Sequence, residues 1–267
     1  NNGAMKRFLI PSARCILLLS LFYGEDAFLL PLVTTSVSKR SKISQHFMSL
    51  IVSTVEPINC SIKLVLASQS PRRREILDMM GLEGKYDVTP SPLDESSLQQ
   101  RLREAGVPDP IDYTKILAEE KAKALAETLQ TVLPTLVVGS DTIVDLKGDI
   151  LEKPKDAGDA VAMLKKLSAR SHQVHTGVAI YLVTQDGVKF VSSFTETANV
   201  QFAKLSDADI EAYVKTGEPM DKAGSYGIQG IGGQLVERIE GDYFTVMGLP
   251  MNKFSAELSR IVKSLLD

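Results

Sequence analysis

Cysteine is scarce in this chain. The 267 residues hold two, Cys15 and Cys60, and these make no metal-type spacing, no redox motif and no disulfide framework, as expected of a reduced, intracellular protein. Long hydrophobic runs are missing too. The apolar stretch at 15–23 is broken by Glu25-Asp26 and falls well short of the roughly 20 residues of a membrane span, so no membrane partner is expected. A large net charge is also absent: the formal value of −3 argues against a general nucleic-acid binder and requires any basic site to be local. There is no GxxxxGK(S/T), which excludes a P-loop NTPase. The glycines of GIQGIGGQ, 227–234, do not fit the dinucleotide fingerprint, and the LVERIEGDYFTV that follows reads as strands rather than a helix. No internal repeat or low-complexity tract is present.

What is there is ordinary in bulk. Hydrophobic residues at 44% and charged residues at 24% suit a globular protein long enough to bury a core. Residues 1–61 differ from the rest. Residues 1–4 ahead of Met5 resemble an expression remnant. Lys6-Arg7 and Arg14 then open a basic, acid-poor stretch containing Ser and Thr. This segment is expected to be a leader or targeting segment without a fold, the alternative being an added structured element. Cytoplasmic location, or organelle import through that leader, follows as the expectation.

From Ile62 to the C-terminus, segments alternate in the α/β manner. Strands are expected at 63–67, near 86–89, and at 135–138 continuing through GSDT to 146, with a further strand after the LKGDIL turn. Strands 174–184 and 189–201 should pair antiparallel around Gln185-Asp186-Gly187, and two more should flank Glu240-Gly241-Asp242. Helices are expected at 71–80, 98–104, 113–129, 159–167 and 252–266, with another capped by Ser206 and Asp209. The fold class is α/β: a mixed central sheet with flanking helices.

Several polar residues sit where packing does not explain them. In SQSPRRREIL, Ser70-Pro71 starts a helix, yet Arg72, Arg73 and Arg74 crowd its already positive end. A bound polyanion would complete such a site, with Ser68 and Ser70 as further donors; the alternative is a solvated basic turn. Lys121, in TKILAEEKAKALAETL, falls on the inward helix face with Leu117 and Leu125, although snorkelling at a core edge would also place it there. Asp141 interrupts the apolar LVVGSDTIV and needs a partner, a metal or a catalytic task, or else bonds backbone amides at a strand irregularity. Gly139 and Ser140 would allow a bulge and close ligand approach. Asp94-Glu95 reads as a site or a helix cap, and Lys153 before Pro154 is similarly open. His172 and His175 fall on opposite faces of a strand and read as structural. Cations and helix amides for a triphosphate, with carboxylates for Mg²⁺ or Mn²⁺ and a water, form one coherent chemistry.

These blocks in this order resemble the Maf-like nucleoside triphosphate pyrophosphatases. SQSPRRREIL, GSDTIV, LEKP with DAGDAVAMLKKLS, HTGVAI and GEPMDKAGSYGIQGIGGQLVERIEGDYFTVMGLP carry the likeness from about residue 63 to the C-terminus. The resemblance implies two lobes around a deep cleft, as in the inosine-triphosphatase-like fold, and in many members a homodimer. It implies hydrolysis of a nucleoside triphosphate to the monophosphate and pyrophosphate with a divalent metal. Ser68, Ser70, Arg72 and Arg73 would then hold phosphates. Glu95, Lys121, Asp141 and Lys153 would complete the catalytic site, with Asp141 and Glu95 on the metal and Asp141 as general base. Thr142 and Gln229 would select the base, in a pattern similar to the dTTP/UTP branch. The alternatives are 7-methyl-GTP or another modified purine, or a non-catalytic nucleotide-binding regulator. Ala169 stands where the family commonly has glycine.

Overall fold

The computed structural model describes residues 54–58, 60–106 and 109–267; the greater part of the expected leader lies outside the described residues. The alternating segments assemble into a seven-stranded sheet of order β2-β1-β3-β5-β6-β7, with β4 on the edge of β3. Strand β1 (Lys63–Leu66) runs parallel to β2 (Asp87–Val88) and to the start of β3 (Thr135–Leu146). Antiparallel to β3 lie β4 (Asp149–Leu151) and β5 (Ser171–Thr184), followed by β6 (Gly187–Phe202) and β7 (Val236–Glu240). The expected hairpin around Gln185-Asp186-Gly187 is present, with Thr184 paired to Gly187.

One feature of this register makes room for a site. On its β1 side, β3 is covered by β1 at Thr135–Val138 and by β4 at Val144–Leu146. Between them, residues 139–143 have a strand on the β5 side alone. The gap opens just past the carboxyl end of β1, the position at which open α/β sheets place ligands.

The helices follow their caps. Helix α1 (Pro71–Leu77) has Ser70 as N-cap and Pro71 at its first position, then relaxes into a wider turn, Asp78–Leu82, in which Gly81 takes φ 80°. Helix α2 (Glu95–Glu104) starts three residues earlier than expected because Asp94 caps it. Helix α3 (Pro110–Ala126) likewise starts early, on an Asp109-Pro110 signal, and ends before residue 129. Helices α4 (Ala157–Leu167) and α5 (Asp207–Lys215) match, the latter with the capping box of Ser206 and Asp209. The second strand expected after Asp242 is instead helix α6 (Tyr243–Met247). Asp242 accepts from the Phe244 and Thr245 amides, and that cap overrides the strand-like composition of YFTV. Helix α7 (Met251–Leu266) closes the chain.

Two large clusters share the long strands. One packs β1, β3 and β5 residues such as Leu66, Val138 and Ile180 against α1 and α7. It also takes in Ile58 and Val55, upstream of the expected boundary at Ile62. The other packs Val144, Val174 and Phe202 against α4 and α5. A third, on the opposite face of the sheet, seats α3 on Val137 and Ala179. Here Gly139 finds its use: a Cβ at that position would lie 2.3 Å from the Ala118 carbonyl oxygen, and one at Gly177 would lie 2.4 Å from that of Thr114. No bulge forms at Gly139-Ser140, which would have allowed one, since β3 and β5 pair without a shift from Thr135 to Asp145. These glycines let the helix, rather than a ligand, approach closely.

Candidate active site

A cavity of about 410 Å³ lies at the gap in β3. Its walls come from the β1–α1 turn, the start of α2, the middle of α3, β3, the turn after β4, and the segment 221–228 with the end of α6. Nine of the ten expected site residues line it.

Lys121 sits at the bottom, 6% exposed. The close approach of α3 at Gly139 brings its Nζ to 2.6 Å from Asp141 Oδ1 and 2.8 Å from Glu95 Oε2. Asp141, 8% exposed, faces α3 and also opens to the cavity. The carboxylate in the strand is therefore matched by the lysine in the helix, two rule-breaking residues that satisfy each other. Burial opposes ionisation of Glu95, but Lys121, with Lys153 and Arg73 beyond it, holds the carboxyl below its usual range.

The arginines divide by role. Arg73 Nε donates to the Gly248 carbonyl (2.8 Å), Nη1 to Ser68 Oγ (3.0 Å) and Nη2 to Thr142 Oγ1 (3.2 Å). Burial lowers its pKa, while Asp141 and then Glu95 pull the other way. Arg73 thus braces the wall and adds positive potential. Arg72 is half-buried and paired across the cleft with Asp221 at 3.2 Å. Arg74 is exposed, with no place in the lining. Ser70 Oγ accepts from the Arg73 amide, and the Ser70 amide donates to Ser68 Oγ. Thr142 Oγ1 also meets Thr176 Oγ1 at 2.9 Å. Lys153 is exposed and lines the cavity without an ion pair among the described residues.

Gln229 is the exception. It lies outside the lining, exposed, with its amide donating to Glu75 Oε2 at 2.9 Å. The chain turns at Gly227 and Gly230, so Ile228 faces the cavity in its place. Asp221 and Lys222, inside the quoted GEPMDKAGSYG block, were not singled out from the sequence. Lys222 Nζ donates to Asp221 Oδ1 (2.6 Å) and to the Glu218 carbonyl (2.5 Å). With them the lining holds five cations, Arg72, Arg73, Lys121, Lys153 and Lys222, against three carboxylates, Glu95, Asp141 and Asp221. That excess favours a polyanion.

The donor set also fits a hard divalent cation. Two carboxylates converge on one ammonium, and Mg²⁺ is commonly held by one or two carboxylates together with substrate phosphates. Among the described residues no group of three or more His, Cys, Asp or Glu forms an all-protein cage. The histidines are structural, as expected. His172 Nε2 meets the Tyr226 hydroxyl at 2.9 Å, and His175 Nδ1 meets Thr197 Oγ1 at 2.8 Å.

Fold and cleft together define an α/β protein with a site for a polyanionic ligand, carrying a carboxylate poised beside an ammonium. A family model described as Maf-like protein matches residues 63–261, and the chain belongs to that family. It is 44% identical over 199 residues to the dTTP/UTP pyrophosphatase of Thermoanaerobacter sp. (strain X514), covering 74% of this chain and 96% of that protein. It is 47% identical over 189 residues to the dTTP/UTP pyrophosphatase of Vibrio cholerae serotype O1, covering 71% and 92%. A Homo sapiens protein, named probable bifunctional dTTP/UTP pyrophosphatase/methyltransferase protein, is 43% identical over 205 residues, covering 74% of this chain. The match spans 32% of that protein's length. Among solved structures, a HAM1 protein from Coxiella burnetii aligns with TM-score 0.31 and 16% identity, covering 77% of this chain and 98% of that one. A likeness at that level carries nothing further.

Proposed function

We propose that the cleft hydrolyses nucleoside triphosphates to the monophosphate and pyrophosphate, acting on dTTP and UTP and on modified pyrimidine nucleotides as a house-cleaning activity. The observation that carries this reading is the Asp141–Lys121–Glu95 cluster at the base of a cation-rich cavity. The names of relatives covered over 90% or more of their length support the choice of dTTP and UTP.

The chemistry is a single displacement. Water attacks the α-phosphorus, Asp141 takes its proton, the bond from that phosphorus to the α,β-bridging oxygen breaks, and pyrophosphate leaves. Lys121 orients the Asp141 carboxylate. Arg72 and Lys153, which the fold leaves at the cavity wall, meet the negative charge that grows on the leaving group. Arg73 holds Ser68 and Thr142 in place, so the wall is formed before substrate arrives. Mg²⁺ or Mn²⁺, held by Asp141 and Glu95, would supply Lewis-acid polarisation of the phosphates. Gln229 has no part in this scheme.

The test is incubation with Mg²⁺ or Mn²⁺ and, separately, dTTP, UTP, CTP, 7-methyl-GTP and ITP, with identification of the phosphate released. Pyrophosphate with the monophosphate, fastest from dTTP and UTP, is expected. Orthophosphate would contradict attack at the α-phosphorus. Fastest turnover of 7-methyl-GTP would move the preference to purines, and binding without turnover would make the protein a nucleotide-binding regulator.

A further inference from the structure

Glu152 lies outside the cavity, yet its contacts reach the elements that carry three of the residues inside it. Its carboxylate accepts from the Tyr113 hydroxyl on α3 and from Arg103 at the end of α2. Its backbone carbonyl accepts from the Gly224 amide at 3.1 Å, in the turn that leads to the cavity residue Tyr226. Helix α2 begins with Glu95, and Lys121 stands eight residues beyond Tyr113, about 12 Å along α3. The residue after Glu152 is Lys153.

The backbone around Lys153 is pinned on both sides. Leu151 is 4% exposed and paired in register with Val144, and Pro154 is buried. Lys153 itself has no ion pair among the described residues. A long, flexible side chain without an ion pair depends on its backbone for aim, because its own rotamers supply none. Burial pushes the Tyr113 phenol well above its ordinary range, and the hydrogen bond to Glu152 adds to the shift, so Tyr113 stays a donor throughout neutral pH.

We infer that Glu152 is a positioning residue for the proposed hydrolysis: by tying the turn after β4 to α2 and α3, it fixes where the Lys153 ammonium meets the phosphates. The inference rests on the proposed function. It goes further by assigning a task to a carboxylate that touches no substrate. Misplacement of a charged group by about 1 Å is enough to cost up to about 100-fold in rate.

The experiment is a set of steady-state measurements on the full chain with Mg²⁺ and dTTP, with melting temperatures recorded alongside. Glu152→Ala is expected to lower kcat/KM by about 10- to 100-fold, chiefly through kcat. In a Lys153→Ala background the same change should add less than about twofold, the signature of two residues acting as one unit. Glu152→Gln, whose amide oxygen still accepts from Tyr113, should recover most of the activity. If Glu152→Ala does not fold, Tyr113→Phe carries the test: by removing the hydroxyl that Glu152 accepts from, it should lower kcat in the Lys153 protein and not in the Lys153→Ala protein. Equal fold-losses in both backgrounds, or an unchanged kcat/KM, would overturn the inference. An inert wild type, or full turnover by Lys153→Ala, would instead overturn the functional reading and this inference with it. A crippled Lys153→Ala beside an active Glu152→Ala would overturn this inference alone.

Discussion

Asp141 and Asp145 lie four residues apart on the same face of β3, with nearly equal burial, 8% and 7%. From the strand alone they look alike. Asp145 sits where β4 has joined the sheet. Its Oδ1 accepts from the Gly148 amide at 2.6 Å, closing the β3–β4 turn, and its Oδ2 faces His175 Nε2 at 3.5 Å. Asp141 sits in the gap between β1 and β4. Among the described residues it has one side-chain partner, Lys121, and the cavity lies on its other side. Burial therefore does not mark a functional carboxylate. What marks it is an incomplete set of partners beside open space, and here the sheet register decides which aspartate has that.

Neutralising Asp141 should separate the two aspartates most strongly. Asp141→Asn is expected to lower kcat by about 1,000-fold, within the range lost with a general base. Lys121 keeps Glu95 as its partner, so the melting temperature should move little and nucleotide binding should survive in calorimetry. An unchanged kcat would remove the assigned role. Asp145→Ala should do the reverse. Loss of two interactions to a buried carboxylate is expected to cost about 2–3 kcal/mol in urea unfolding, with kcat near the wild-type value in whatever protein remains folded.

Proton linkage separates the polar interior behind the cleft from the cleft itself. Burial pushes His172 down from its ordinary 6.5 to about 4. The unfolded chain therefore takes up this proton first as pH falls. Its contribution to stability is fully present above pH 6.5 and is lost progressively towards pH 4, by about 3 kcal/mol in all. Urea melts across that window should show the decline, and His172→Gln should flatten it.

The smallest expected effect is at Ala169, which occupies the left-handed region with φ 56° in the α4–β5 turn. Glycine there relieves the Cβ strain while adding freedom to the unfolded chain. Ala169→Gly should therefore raise stability by about 0.5–1 kcal/mol without changing kcat. The backbone at Ala169 thus shows the physical cost of carrying an alanine in that turn.

How much of this was legible in the sequence depended on the range of the interaction. The strands showed in their composition, the β5–β6 hairpin in its Gln-Asp-Gly turn, and α5 in its capping box. All of these are local signals. Asp141 and Lys121 were legible because each breaks a local pattern, although that they meet is a consequence of Gly139 and Gly177 admitting α3. Glu152, Asp221 and Lys222 break no local rule, and their significance lies in partners far along the chain, such as Arg72 for Asp221. The helix at Tyr243–Met247 was misread because one cap at Asp242 outweighs a run of β-favouring side chains. Gln229 was expected in the cleft from the resemblance, but a glycine-rich turn directs it to Glu75.

The most direct test of the central claim is hydrolysis of dTTP in water enriched in ¹⁸O, with the products resolved by mass spectrometry. Attack at the α-phosphorus predicts the label in the monophosphate and none in pyrophosphate. Label in pyrophosphate, or release of labelled orthophosphate, would contradict it.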